Sequence, residues 1–440
     1  MNKLSIKITC LFLNCLVLSS ISVFLTAGND HIVSQPPSLT FVNNAPPVYY
    51  LSASTPFDYG KKAGELMRNQ ILLLNLLERC QMKRLPMKNL LNNSENSETY
   101  QPFDFYSNEL RGVSQAVHLP LVRLQALKRF CSHLFQGECT TTLSTGLATK
   151  DNTTFLTQNY DQELKSLRDF IQIVGTRIIL TRFYWIADIR TMPYRYAYWG
   201  IPVFHEIPFF NEKGLGMGGN AILLTTNQSR IIDTGSGYSA YELERYTMMT
   251  CQNVTEVAQY WSTIERAWGD ETPWPHFWDN SISLWCDREG GILMMEQTHQ
   301  YHQFMFGNST SITHTPEGIL WHANHHQWLD PYLTGSVVFG ENKKANSSYY
   351  RAARAHQLLL ENYGNITLTV CEQITRDHQG GTDPTGEDSA DICRHPDENL
   401  SSLTIFSWII NPEEMTVYWT SSSPCVSEFK KYDFSKIFPS

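Results

Sequence analysis

No long run of lysine or arginine occurs anywhere in these 440 residues, and the formal net charge is −9. Phosphate binding needs a basic face, so no nucleic acid partner is expected, and an anionic membrane surface is disfavoured on the same ground. The chain has no internal repeat and no low-complexity tract, which argues against solenoid and disordered-array architectures. Beyond residue 28 no stretch is apolar enough to span a bilayer. What is present is 42% hydrophobic and 12% aromatic. That composition describes a globular chain with a substantial core, enough for one large or two ordinary domains.

The first 28 residues differ in kind. Lys3 and Lys7 precede an apolar run from Ile8 to Leu25, and Thr26, Ala27 and Gly28 follow. This is the layout of a signal peptide, and its removal leaves no transmembrane anchor. A retained membrane anchor is the other reading, against which Asn14 and several serines dilute the run. Sequons stand at Asn92, Asn152, Asn227, Asn253, Asn308, Asn346, Asn365 and Asn399, about twice the number chance would give. A secretory protein is expected, secreted or endolysosomal, or periplasmic if bacterial. Eight cysteines lie outside the signal: Cys80, Cys131, Cys139, Cys251, Cys286, Cys371, Cys393 and Cys425. In an oxidising compartment they allow up to three disulfides once Cys139 is set aside, with Cys80–Cys131 as one guess.

Residues 29–48 read as an extended entry segment and 91–102 as a polar surface loop. Helical spacing of apolar residues runs from Phe57 to Leu77, with Gly60 and Gly64 on one face where backbones can approach, and again from Glu109 to Arg129, interrupted at Pro120. From Cys139 onward the texture turns to β. Thr140 to Leu147, Thr153 to Gln158, Ile171 to Phe183, Leu215 to Thr225, Thr404 to Ile410 and Met415 to Thr420 read as strands, the last two joined through Asn411-Pro412. Helices are expected at Glu242 to Trp261 and Tyr349 to Tyr363. Helices followed by strands and then mixed segments predict α+β layers rather than alternating βα units.

Three local signals have a bland and a sharp reading. His322, His325 and His326 with Asp330 suggest metal ligands, but they lack a cysteine partner and read as site-lining or surface histidines. Gly214, Gly216, Gly218 and Gly219 superficially suggest dinucleotide binding, yet no clean strand precedes them and no βαβ unit follows, so a tight strand–turn is expected. Trp268, Trp274, Trp278 and Trp285 read as core, or as an apolar acyl slot with Trp278 against substrate. The aromatics from Tyr184 to Phe210 are similarly ambiguous. No metal or cofactor is expected.

Cys139 taken alone is equally a buried or bridged cysteine. Its context is more specific. Cys139-Thr140-Thr141 through Gln158-Asn159-Tyr160-Asp161 resembles the start of the mature chain in isopenicillin N acyltransferase-like proteins. These are cysteine N-terminal-nucleophile (Ntn) hydrolases related to choloylglycine hydrolases and acid ceramidases. Asn211-Glu212-Lys213-Gly214-Leu215 through Asn220, His322-Ala323-Asn324-His325 and Ser347-Ser348-Tyr349-Tyr350-Arg351 are similar to further segments of that family. So are Tyr59 to Gly64, Glu109 to Gly112, Asp377-His378 and Cys393-Arg394-His395-Pro396, so the resemblance covers most of residues 57–430.

The resemblance implies a four-layer αββα sandwich and a chain that cuts itself between Glu138 and Cys139. Residues 29–138 become a mostly helical small subunit that stays associated, and 139–440 the catalytic domain. It implies Cys139 as nucleophile, with its freed α-amino group as base, because an unperturbed thiol is a weak nucleophile at neutral pH while an α-amine titrates near neutrality. Asp161 would orient that amine or the thiol. Asn220 and Asn324 would donate to the oxyanion, Arg351 would hold Asp161 or the acyl-enzyme, and Gln158 and Asn159 would meet substrate. The substrate would be a small-molecule N-acyl amide or a lipid amide, opened through a thioester to water or to a second amine. Gln158 stands where bile-salt and ceramide relatives place arginine, which points to the acyltransferase-like branch. Glu138 stands where the family often has glycine, so slower or pH-dependent maturation is expected. Three alternatives remain: a lipid hydrolase of acid ceramidase or phospholipase B-like type, an inactive secreted binding protein, and a thiol protease with His325 or His378 as base.

Overall fold

The computed structural model describes residues 48–82, 103–134, 137–163, 184–225, 227–230, 233, 235, 237–266, 281–307, 316–378, 391–395 and 402–438. The signal segment, the strand expected at 171–183, the loop at 91–102, the sequons Asn92, Asn308 and Asn399, and Trp268, Trp274 and Trp278 lie outside them.

The chain enters through β1 (Val48–Ala53), then α1 (Pro56–Leu66), α2 (Arg68–Met82), α3 (Asp104–Val117) and α4 (Leu121–Leu134). The helical stretch expected from Phe57 breaks at Met67, and the one expected at Glu109 begins earlier and breaks at His118, whose φ is 59°. β2 (Gly137–Gly146) and β3 (Asn152–Glu163) follow as an antiparallel pair, β3 running well past Gln158 to carry Asp161. Then come β4 (Tyr184–Ile189), β5 (Tyr196–Ile201), β6 (His205–Asn211) and β7 (Gly216–Ala221). The single helix expected from Glu242 is two, α5 (Ala240–Thr250) and α6 (Val254–Thr263). It divides because the Asn253 side chain accepts from Glu256 N at 2.9 Å and so starts a new helix. Besides short helical turns at Pro331–Thr334 and Phe434–Ile437, the later elements are β8 (Ser281–Cys286), β9 (Ile292–Gln297), β10 (His302–Phe306), β11 (Ile319–His322), α7 (Lys343–Glu361), α8 (Leu368–Thr375), β12 (Ser402–Asn411), β13 (Thr416–Thr420) and β14 (Lys430–Asp433).

The strands form two sheets. One has the order β1-β4-β5-β6-β7-β8-β9-β10 and the other β11-β2-β3-β12-β13-β14. β2 and β3 face β7 and β8, helices α1, α5 and α6 cover the outer side of the first sheet, and α7 and α8 cover the second. This is the αββα order. Strands buried on both faces read as near-continuous apolar or small-residue runs instead of alternating ones, which is how β2 is buried from Glu138 to Ser144. Between the sheets Phe406 stacks on Tyr160 at 4.9 Å and lies 4.5 Å from Trp199, so the aromatics of that region are core.

The segment before Cys139 is more than helical. β1 pairs in parallel with β4, Val48 opposite Tyr184 through Ala53 opposite Ile189. α1 meets α3 backbone to backbone: a Cβ on Gly60 would stand 1.9 Å from Glu109 O, and one on Gly112 2.1 Å from Phe57 O. Gly60→Ala is therefore expected to cost about 1–3 kcal/mol through overpacking. Denaturant melts of the unprocessed chain check this, and a change under about 0.5 kcal/mol would mean the helices do not touch.

The seven cysteines whose side chains are described, from Cys131 to Cys425, are unbridged in the structure, where up to three disulfides were expected, although Cys393 and Cys425 lie close together. Cys131, Cys251, Cys286 and Cys371 are buried on separate elements. The Cys80 side chain lies outside the described residues.

Candidate active site

Alternation along β2 sorts its side chains between two faces. Cys139 and Thr141 point between the sheets, while Glu138 and Thr140 point toward the helical layer of α7. Contacts confirm the sorting. Thr141 Oγ1 donates to Asn220 Oδ1 at 2.5 Å on β7, whereas Thr140 Oγ1 accepts from Arg351 Nη1 at 2.8 Å on α7. β3 sorts likewise: Gln158 faces β7, and Asn159 and Asp161 face the helices.

The nucleophile candidate is buried, and β2 runs unbroken through Glu138 and Cys139. Burial pushes the Cys139 thiol up to about 12, and the Asp161 carboxylate adds to this. Gln158, Arg351 and the Ala221 backbone pull the other way. In the uncut chain the sulfur is thus a protonated thiol at physiological pH. Gln158 is itself pinned, donating to Gly219 O at 2.7 Å and accepting from Gly219 N at 3.2 Å. That embrace explains the glycine cluster: a Cβ on Gly218 would stand 2.8 Å from Gln158 Oε1. The cluster is strand β7 lying close against β2, as the non-nucleotide reading required.

The backbone nitrogen of Cys139 donates to Asn324 Oδ1 at 3.1 Å. Arg351 spans the same point: Nη1 donates to Cys139 O at 2.6 Å, and Nη2 donates to Asn324 Oδ1 at 2.7 Å and to Glu138 Oε2 at 2.8 Å. Arg394 Nη1 reaches the same Glu138 oxygen at 2.7 Å. Burial alone would raise the Glu138 carboxyl, but the Arg394 and Arg351 guanidiniums overcome it and hold it at about 2. Glu138 is therefore ionised at any working pH, and a pH dependence of maturation must come from elsewhere. Asp161 is the candidate. Burial raises it to about 6 against the pull of Arg351 and Arg394, while Thr404 Oγ1 donates to Oδ1 at 2.6 Å. Its Oδ2 lies 3.9 Å from Arg351 Nη1 and has no hydrogen-bond partner among the described residues.

The structure thus gathers Glu138, Cys139, Gln158, Asp161, Asn324 and Arg351. It places Asn220 and Asn159 differently from their expected roles. The Asn220 amide spends both N–H donors on His322 O at 3.0 Å and Ala323 O at 2.8 Å, so it braces the turn that carries Asn324. Asn324 Nδ2 likewise donates to Ala221 O at 2.7 Å. Asn159 turns away from the thiol and ties β3 to Thr375 O and Ile392 O. Arg394, Thr404 and the Ala221 backbone were not singled out in the sequence. Only the Cys-Arg-His run around Arg394 carried a signal.

Among solved structures the chain is similar to a variant of conjugated bile acid hydrolase from Clostridium perfringens, at 15% identity over 67% of this chain and 93% of that one, with a TM-score of 0.38. It is similar also to penicillin V acylase from Agrobacterium tumefaciens, at 11% identity over 68% of this chain and 87% of that one, with a TM-score of 0.37. No protein-family model and no curated protein matches.

The histidines beside the site have separate partners and do not converge on a metal. His322 Nε2 meets Glu296 Oε1 at 2.6 Å, His325 Nδ1 meets Ser348 Oγ at 2.8 Å, and His326 Nδ1 meets Thr334 Oγ1 at 2.7 Å. Asp330 caps Tyr332 N. Burial holds His325 well below the usual imidazole range, His326 at about 4 and His205 at about 3. Each of these depressed values adds stability that is present above the unfolded value near 6.5 and lost as pH falls. Asp161 and Glu109, raised to about 6 and about 7 chiefly by burial, act oppositely and favour the fold as pH falls. Three histidines outweigh two carboxyls at about 1.4 kcal/mol per unit. The melting temperature of the uncut chain should fall from pH 7 to pH 5, and His205→Phe should recover roughly 2 kcal/mol of the loss. A melting temperature that rises on acidification would refute this account.

Proposed function

We propose that the chain is a self-processing, cysteine-nucleophile amidase that opens linear C–N bonds through a thioester. The observation that carries this reading is the acceptor, Asn324 Oδ1, lying 3.1 Å from the backbone nitrogen of Cys139. A buried backbone N–H needs an acceptor, and here, where the β11 ladder has ended at Thr141, an arginine-braced side chain supplies it instead of a strand carbonyl. After cleavage the same acceptor would hold the free α-amine where it can take the thiol proton.

In maturation the Cys139 sulfur attacks the Glu138 carbonyl carbon and gives up its proton. The C–N bond breaks as the nitrogen of Cys139 takes up the proton, and water hydrolyses the resulting thioester. In turnover the new amine is the base, an acyl group moves onto sulfur, the amine product leaves, and water or a second amine takes the acyl group. The Ala221 N–H and the Gln158 amide, both bearing on the thiol, are the oxyanion donors this arrangement favours. Substrates of the class are small N-acyl or lipid amides. A Cys–His protease is the weaker reading, since the groups that bear most on the thiol are Asp161, Gln158, Arg351 and the Ala221 backbone, and His325 is neutral and bonded to Ser348.

Secretion fits the surface. Asn152, Asn227 and Asn365 are exposed and open to glycosylation, while Asn253 and Asn346 are half-buried and already hydrogen-bonded. The loss of stability expected on acidification favours a near-neutral extracellular setting over an endolysosomal one. The test is intact mass and N-terminal sequencing of the purified protein. The expected result is a fragment of roughly 35 kDa beginning Cys-Thr-Thr-Thr, with hydrolysis of one or more N-acyl amides in a panel. A chain that stays whole and inert at pH 5 and pH 7.5 would defeat the proposal.

A further inference from the structure

Away from the thiol, beyond the helical face of β3, four side chains meet that no step above uses. They are His378, just after α8; Cys393 and His395, in the short segment Asp391 to His395; and Cys425, beyond β13. One ligand-type atom from each, two thiol sulfurs and two imidazole nitrogens, lies within 4.8 Å of every other. His395 Nε2 stands 3.0 Å from Cys425 Sγ and 3.8 Å from Cys393 Sγ. The imidazoles of His378 and His395 lie 5.0 Å apart between ring centroids.

From this geometry we infer a structural zinc site of the Cys2His2 type, formed by His378, Cys393, His395 and Cys425. Zinc holds thiolate sulfur at about 2.3 Å and imidazole nitrogen at about 2.0–2.1 Å in a tetrahedron, so its ligand atoms stand roughly 3.3–3.8 Å from one another. The observed cluster has that size and needs only small side-chain movements to close on an ion. Donor chemistry agrees: two soft sulfurs with two imidazoles select zinc over magnesium or calcium. Asp391 Oδ2, 3.9 Å from His378 Nδ1, supplies the carboxylate that ligand imidazoles commonly carry behind them. His378 is exposed and Cys425 half-buried, which leaves a route for the ion.

The backbone around the cluster is already tied. Cys393 N donates to Asp377 O at 3.0 Å, Thr404 N donates to Arg394 O at 3.0 Å, and Arg354 pairs with Asp377 at 2.7 Å. Arg394 stands between two of the four ligands in sequence, and its guanidinium holds Glu138. An ion here clips that arginine in place from both sides. The site departs from the sequence expectation of no metal. Its ligands are spread from residue 378 to 425 without the close cysteine pairs that advertise zinc, and the histidines that did attract notice, His322 to His326, lie elsewhere.

The competing chemistry is a Cys393–Cys425 disulfide, which excludes the ion and leaves both histidines without a ligand role. The experiment uses full-length protein purified without chelator or reductant, with metal content by plasma mass spectrometry and non-reducing peptide mapping in parallel. About one zinc per chain, with Cys393 and Cys425 both alkylatable after zinc removal, is the expected result. Cobalt(II) exchanged into the wild type should give the intense visible bands of a tetrahedral thiolate site. His395→Ala should lower zinc to well under half. Should that variant fail to fold, the wild-type cobalt spectrum decides. A mapped Cys393–Cys425 disulfide with negligible zinc, or octahedral cobalt without thiolate bands, would overturn the assignment.

Discussion

Cys139→Ala should yield a single uncut chain with no measurable amidase activity, while its melting temperature stays at or above that of the wild type. The expected loss is complete because one sulfur serves twice, first on the Glu138 carbonyl and then on substrate, and no other group inherits either task. The loss of packing is small because alanine deletes a single buried atom, the sulfur, and the uncut chain keeps its two segments tethered. The thiol is also held protonated, so the substitution strands no charge. Cys139→Ser sharpens the test. A hydroxyl is a poorer nucleophile but keeps the polar atom, so slow cleavage over hours to days is expected instead of none. If Cys139→Ala were cut at the same bond, an external protease would be responsible and the self-processing reading would fail. If it remained uncut yet hydrolysed amides, a different nucleophile would be at work.

The second large effect lies far from the sulfur. Arg245 on α5 is fully buried and joins a carboxylate from each side of the cleavage point. Its guanidinium makes two bonds to Glu109 on α3, at 3.0 and 3.1 Å, and its Nε lies 2.9 Å from Glu206 on β6. Tyr196 and Tyr59 complete the network. Arg245→Met leaves two carboxyls buried without their cation, a change that typically costs 3–5 kcal/mol. In the processed enzyme the same change should loosen the small subunit, seen as a second species by native mass spectrometry. Arg111→Ala on the exposed face of α3 is the control, with an expected effect within about 0.5 kcal/mol. Equal effects for the two variants would show that the buried network does not hold the segments together.

The layered α+β class was legible because the periodicity changes at Cys139, from helical spacing before it to Thr-rich β runs after it. That Cys139, Asp161, Asn324 and Arg351 lie together was legible through short motifs in the right order. What escaped was whatever depends on pairing across long separations. β1 is six residues long and becomes a strand only because β4 lies beside it. The amide of Asn220 looked like a donor to substrate, and nothing local reveals that backbone carbonyls at His322 and Ala323 consume it. Asn159, one residue from Gln158, faces the opposite layer because strand alternation reverses each side chain in turn. Glu138 looked like a handicap to cleavage. That two arginines, more than two hundred residues downstream, hold it as a fixed anion is not local information.

Under the proposed maturation, the parallel contact of β1 with β4 has a consequence for the life history of the chain. A continuous chain threads this contact once, as one molecule, with its two partners tethered at high effective concentration. After the bond at Glu138 is cut, the same contact joins two molecules, and forming it anew is a dilute encounter of partners that each expose an unpaired strand edge. The mature enzyme is then a one-way product. It persists because it opens slowly, and heating that separates its halves should destroy it for good even where the uncut precursor recovers on cooling.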